Sequence, residues 1–149
     1  MERALAVVEP KEATKELVAE AGELANAVGA ELLLLHVTTE EEFQNRRSTI
    51  ENVAGLDAGY NVESARSGAE QFAEKIGMEV LDDVEFTAMG RIGDPQDTIM
   101  TVADEENADH IFIHGKQRSP TGKAVFGDTA QAIILGFDGP VTVTTGDDE

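Results

Sequence analysis

The apolar positions of this chain fall into short continuous runs separated by longer stretches of helical spacing. Leu5-Ala6-Val7-Val8 is the first run, followed at once by Glu9-Pro10-Lys11. Ala13, Leu17, Ala21, Leu24 and Val28 then recur at intervals of three and four, which predicts an amphipathic helix. Gly29 stands where a helix C-terminal cap favours glycine. Leu32-Leu33-Leu34-Leu35-His36-Val37 follows, and so continuous a run predicts a strand covered on both faces. Strand, helix and strand within about thirty residues make a βαβ unit, hence a parallel pair with a right-handed crossover.

The segment from Thr38 to Tyr60 is polar and reads as either helix or loop. Ala65, Ala69, Phe72 and Ile76 predict a helix over Val62 to Ile76. Val84 to Met89 alternates, which predicts a third strand at a sheet edge. Gly93-Asp94-Pro95 is a turn into a helix carrying Ile99, Val102 and Ala103. His110 to Ile113 predicts a fourth strand, and His114 to Lys123 a polar glycine-containing loop. A helix from about Thr129 to Leu135 precedes Gly139-Pro140 and a last strand, Val141-Thr142-Val143-Thr144. Five strands alternating with helices predict a single open, doubly wound α/β sheet. No repeat or linker interrupts the series: 1–145 reads as one domain and 146–149 as an acidic tail. Ligands of such sheets lie beyond the carboxyl ends of the strands. That directs attention to Glu9, Val37, Gly90 to Ile92, and His114 to Lys123.

Composition narrows the function classes. Thirty acidic against eleven basic residues give a formal charge of −19, a field that excludes nucleic acid and anionic membrane as partners. With only five lysines, the chain reads as adapted to a salty cytoplasm. At molar salt the Debye length falls to about 3 Å and the self-repulsion is largely screened. The alternative is an ordinary acidic protein with solvated faces. No apolar run reaches membrane-spanning length, and the N-terminal run is too short for a signal peptide, so the expected location is the cytoplasm. The absence of cysteine excludes disulfides and thiolate metal sites. His36 and His114 would flank strand one near Glu9, but about 10 Å apart, too far to share a metal ion. No Ser-His-Asp order or paired acid and base suggests an enzyme.

Gly93-Asp94-Pro95, Ile99, Ala103, Glu105-Glu106, Ala108-Asp109 and Ile111-Phe112-Ile113 resemble the universal stress protein pattern. So do Gly127, Ala130 and Gly139 to Val143, and in the first half Ala25, Gly29 to Leu32 and Leu35-His36-Val37. The resemblance implies an adenine-nucleotide alpha-hydrolase-like sheet in order 3-2-1-4-5 and a homodimer through the last strand, Val141, Thr142, Val143 and Thr144. An unpaired β-branched edge there would otherwise be exposed.

Many relatives of that kind bind ATP through a loop G-x2-G-x9-G-[S/T], whose glycines admit phosphates to backbone N–H groups. Placed by Gly127, the pattern asks for glycines at 114 and 117 and a hydroxyl at 128; the chain has His114, Gln117 and Asp128. Asp128 would set a carboxylate facing a phosphate, a repulsion of about 1 kcal/mol in water at 4 Å and more in a half-buried site. The early Asp of the family is Glu9 here, followed by Pro10. Against these losses, Gly115 lies one residue from an expected glycine, and Arg118, Ser119, Thr121, Gly122 and Lys123 gather cations and hydroxyls before a helix. Arg91 is a further candidate phosphate contact. The resemblance therefore implies a stress-response module that binds ATP or AMP through a modified loop, with no metal beyond nucleotide-borne magnesium. Any hydrolysis would be slow. The alternative is the same fold without nucleotide, acting as a protein-interaction module.

Overall fold

The computed structural model describes residues 1–54 and 61–146. β1 (Arg3–Val7), α1 (Ala13–Val28) and β2 (Glu31–Thr38) form the first crossover unit. Next come α2 (Glu40–Ala54), α3 (Val62–Val80) and β3 (Thr87–Ile92), then α4 (Pro95–Glu105) and β4 (His110–His114). β5 (Lys116–Arg118) and β6 (Ala124–Phe126) make an antiparallel hairpin before α5 (Asp128–Gly136) and β7 (Val141–Thr144). The main sheet runs β3-β2-β1-β4-β7 with every pair parallel, the expected 3-2-1-4-5 order once the hairpin is set aside.

Alternation along the central strands separates two cores. Ala4, Ala6, Leu32, Leu34 and Phe112 face α1 and α3, meeting Leu17, Val18, Ala21, Ala73 and Ile76. Leu5, Val7, Leu33, Leu35, Ile111 and Ile113 face the opposite side, meeting Ile99, Val102 and Ala103 of α4 and Ala130 and Ile133 of α5. Each fully buried leucine or isoleucine contributes about 1.5–3 kcal/mol of transfer free energy. The quartet Leu32 to Leu35 is therefore apolar throughout because consecutive side chains serve different cores.

Local chemistry sets the element ends. Gly29 is left-handed (φ 73°), as a C-cap requires. Asp94 accepts a bond from the Asp97 N–H at 3.1 Å, with Pro95 at the first helical position. The ambiguous stretch after Thr38 is helical as far as Ala54, with the rest of it, 55–60, outside the described residues. Thr39 and Glu42 start that helix: the Thr39 hydroxyl accepts from the Glu42 N–H at 3.1 Å and donates to the Glu42 carboxylate. The acidic residues Asp147 to Glu149 also lie outside the described residues.

Two expectations are corrected. The third strand begins at Thr87, not Val84, and runs past Met89 to include Gly90, Arg91 and Ile92. Phe86 explains the shift: its ring packs against Gly77 of α3 and Leu34 instead of continuing the ladder. The polar loop after His114 is the β5–β6 hairpin, not an open cradle.

Gly90 is where α3 touches β3. A Cβ there would lie 2.3 Å from the Glu70 nitrogen and 2.4 Å from the Arg66 oxygen, both backbone atoms that cannot rotate away. Gly90→Ala should cost about 1–3 kcal/mol in denaturant unfolding; an unchanged midpoint would mean that α3 lifts without penalty.

Acid should act through the start of β4. The Asp109 carboxylate accepts from the N–H groups of Glu2 at 2.8 Å and Arg3 at 3.3 Å, and the Glu2 bond chiefly holds it below its ordinary 3.8. Its contribution is present above that value and lost as pH falls through the lower folded value. Burial depresses His110 below its ordinary 6.5, only partly offset by Asp109. The unfolded chain then takes up a proton first, so this contribution is complete above 6.5 and erodes below it. His110→Gln should flatten the stability curve just below pH 6.5 and leave the slope below pH 3.8 in place. Thermal melts across that range read both windows.

Candidate functional site

The crossover topology brings the carboxyl ends of β1 and β4 together with the N-terminus of α5. Between them lies a cavity of about 300 Å³. Glu9 and Lys11 line it from the segment after β1, His114 and Gly115 from the end of β4, Lys116 and Gln117 from β5, and Gly127 to Ala130 from the start of α5.

Each wall is fixed by ordinary structure. The buried Thr14 hydroxyl accepts from the Glu9 N–H at 2.8 Å, which holds the turn out of β1. The Lys11 N–H donates to the Glu9 carbonyl at 2.8 Å, and the Lys11 ammonium lies 4.0 Å from the Glu9 carboxylate. Gly115 donates its N–H to the Thr144 carbonyl at 2.9 Å and accepts from the Gly127 N–H at 3.0 Å. A Cβ at Gly115 would strike Val143 at 2.5 Å and Phe126 at 2.8 Å, so this glycine answers to packing between β7 and the hairpin.

His114 is the least explained of the lining residues. It is only 7% exposed, and its Nδ1 lies 2.9 Å from the Thr144 hydroxyl. Its Nε2 is buried with no hydrogen-bond partner among the described residues. Buried polar atoms in folded proteins are nearly always paired, so this nitrogen is one of the few left without a partner by the fold. His36, by contrast, donates from Nδ1 to the Val8 carbonyl at 2.8 Å and meets Phe72 edge-on, which makes it a structural histidine. Among the described residues no cluster of three His, Asp or Glu could hold a metal ion.

The helix N-terminus completes the cavity. Gly127 caps α5 without a side-chain bond, leaving first-turn N–H groups to other partners. Asp128 is the first helical residue and sets a negative charge where the helix dipole favours one, typically by 0.3–1 kcal/mol. Gln117 lies against the cap: a Cβ on Gly127 would be 2.6 Å from the Gln117 Oε1.

Of the residues selected from sequence, Glu9, His114, Gly115, Gly127 and Asp128 meet at this cavity. Val37, Arg91, Ser119 and Lys123 do not line it. Val37 of β2 is half-buried against the core on the α4 and α5 side and pairs with Arg91, whose guanidinium bonds the Gly90 carbonyl at 2.8 Å in edge strand β3. Arg118 pairs with Ala124 in the hairpin. Ser119 and Lys123 close the hairpin tip, the Ser119 N–H donating to the Lys123 carbonyl at 2.9 Å and the Ser119 and Thr121 hydroxyls 2.9 Å apart. Gly122 (φ 82°) supplies the left-handed turn residue there. Those groups serve the hairpin's own turn. Lys11 and Thr129 were overlooked, although Lys11 also stands just beyond strand one; Lys116 lay within the segment after strand four but was not singled out. A larger groove of about 1200 Å³ lies at the opposite sheet edge. It is shallow and lined by Glu31, Glu70, Glu74, Asp83 and Glu85, without an unpaired buried polar atom among the described residues.

The model of the universal stress protein family matches residues 1–145. No curated protein matches the chain. Among solved structures, hypothetical protein MJ0577 superimposes with a TM-score of 0.70 at 20% identity, over 99% of this chain and 98% of that one. A universal stress protein from Archaeoglobus fulgidus gives 0.62 at 26% identity, over 96% and 97%. An Arabidopsis thaliana universal stress protein family protein, solved with AMP bound, gives 0.61 at 14% identity, over 99% and 93%. With the family pattern running from residue 1 to 145 on a sheet of the same fold, the chain belongs to the universal stress protein family.

Proposed function

We propose that the chain is a stress-response module that binds an adenine nucleotide, AMP or ATP, in the cavity at the start of α5. The observation that carries this reading is one cavity where Lys11, Lys116, the Thr129 hydroxyl and an α5 terminus lacking a side-chain cap converge beyond the ends of β1 and β4. A phosphate would find two cations, the Thr129 hydroxyl and helix N–H donors within one concavity. Related proteins of this fold were solved with AMP, dAMP and cAMP, which supports the ligand class.

The second reading, a protein-interaction module without nucleotide, draws on Asp128. Its carboxylate already supplies the negative charge that the helix terminus attracts. Calorimetric titration of AMP and ATP in about 2 M KCl, where the net charge is screened, separates the two. Saturable binding that Lys116→Ala weakens about tenfold, or 1.4 kcal/mol, supports the nucleotide module. Binding that appears only in Asp128→Ser means the interaction module.

The working unit in this proposal is a homodimer through β7. All four residues Val141 to Thr144 are half-buried in the single chain, and β7 is an outer strand of the sheet. Leu135 of the adjoining α5 is 85% exposed, apolar surface that a second copy would cover. Light scattering should give twice 15.9 kDa in concentrated salt; a monomer mass would remove the dimer from the proposal.

The habitat is a salty cytoplasm, on the strength of the −19 charge. No helix among the described residues is long and apolar enough to cross a membrane. The melting temperature should climb steeply with KCl up to molar concentration as repulsion is screened. A flat salt response would leave only an ordinary acidic protein.

A further inference from the structure

We infer that the groove at the amino ends of β2 and β3 is a docking surface for a basic protein segment, one that carries lysine or arginine together with apolar side chains. The groove lies at the opposite end of the strands from the α5 cavity, so the inference goes beyond the nucleotide reading and does not depend on it.

Four pieces of the chain enclose it: the end of α1, the start of β2, one face of α3 and the residues leading into β3. Glu70, Glu74 and Met78 follow at four-residue spacing and therefore share that face of α3. Along the approach to β3, Val84, Phe86 and Ala88 are half-buried, while Asp83, Glu85 and Thr87 are exposed. Apolar and acidic side chains thus alternate within the same groove. Met78 is 72% exposed, an adaptable apolar side chain left in water.

Size and charge select the occupant. The volume of about 1200 Å³ exceeds the roughly 300–1,000 Å³ of small-molecule sites, and a shallow groove suits a chain segment better than a compact ligand. Glu31, Glu70, Glu74, Asp83 and Glu85 line it, and no lysine or arginine does. Among the described residues only Glu31 of these five is in an ion pair, with Arg3. No three of the carboxylates there are placed to hold a metal ion. Charges dispersed in this way are matched by cations spaced along a partner. A second copy of this chain would bring its own charge of −19 against them, and nucleic acid or an anionic membrane would be repelled. A basic segment is attracted, and its apolar side chains cover Met78 and the half-buried wall.

The test is fluorescence anisotropy of a labelled peptide of repeated Lys-Leu-Arg-Ala units with the full chain in about 1 M KCl, where the Debye length is about 3 Å. Wild type should bind it saturably. Removing the groove charges together, by Glu70→Gln, Glu74→Gln and Glu85→Gln, should weaken binding about tenfold, and Met78→Ala about threefold. Removing three exposed carboxylates elsewhere, by Glu41→Gln, Asp104→Asn and Glu105→Gln, should cost less than about twofold. All seven side chains are exposed, so the fold is not at stake. A peptide with serine in place of leucine should bind about tenfold more weakly. In nitrogen-15 NMR the peptide should move the amides of Glu70 to Met78 and Asp83 to Ala88. No binding to wild type overturns the inference. Equal weakening by the two triple variants does so as well, because the attraction then belongs to the whole charged surface. Full affinity for the serine peptide, or an unchanged Met78→Ala, removes the apolar contact and overturns it too. Movement of the same amides with calcium but not with the peptide makes the groove an ion site instead.

Discussion

Everything in this molecule depends on covering a parallel sheet on both faces. A parallel pair cannot be closed by a tight turn, so each strand hands over to a helix that crosses back and lands on one face. In this chain α1 and α3 take one side and α4 and α5 the other, and the strands between them are apolar at consecutive positions. The same requirement fixes where chemistry can occur. Strands that all point one way deliver their carboxyl ends to a common edge, and the strand order turns at β1. Glu9 and His114 are about a hundred residues apart in sequence and meet there because β1 pairs β4 in register, Ala4 with His110 and Ala6 with Phe112.

Much of this was legible in the sequence, and the reasons differ by element. Leu32 to Leu35 announced a strand covered on both faces because the apolar run is short, continuous and follows the helix stop at Gly29. α1 announced itself through its period and through Gly29. The third strand was misplaced because periodicity cannot tell an alternating strand from an extended approach whose apolar residue packs under a helix, which is what Phe86 does against Gly77. α2 stayed open between helix and loop for want of an apolar stripe: Phe43 is its one core residue among those described, and the helix start is chemical, in Thr39 and Glu42. The hairpin was hidden because three-residue strands carry almost no pattern.

The site was half legible for a related reason. Of the residues chosen by the rule that ligands sit beyond strand ends, Glu9, His114 and Gly115 were placed together, whereas Val37 and Arg91 lie within β2 and β3. Ser119 and Lys123, further along the segment after β4, were not, because whether a cation faces a cavity depends on how its loop closes. Gly115 shows the limit of arguing from residue type. It was read as a phosphate glycine, yet its missing side chain leaves room for Val143 and Phe126.

Asp128 defines what kind of site a glycine-poor loop becomes. A cradle of bare N–H groups is general: it takes any phosphate chain that fits and owes its affinity to the helix field. Exchanging glycines for side chains spends that generality. Asp128 satisfies part of the helix field from within the chain, so less remains for a ligand's charge.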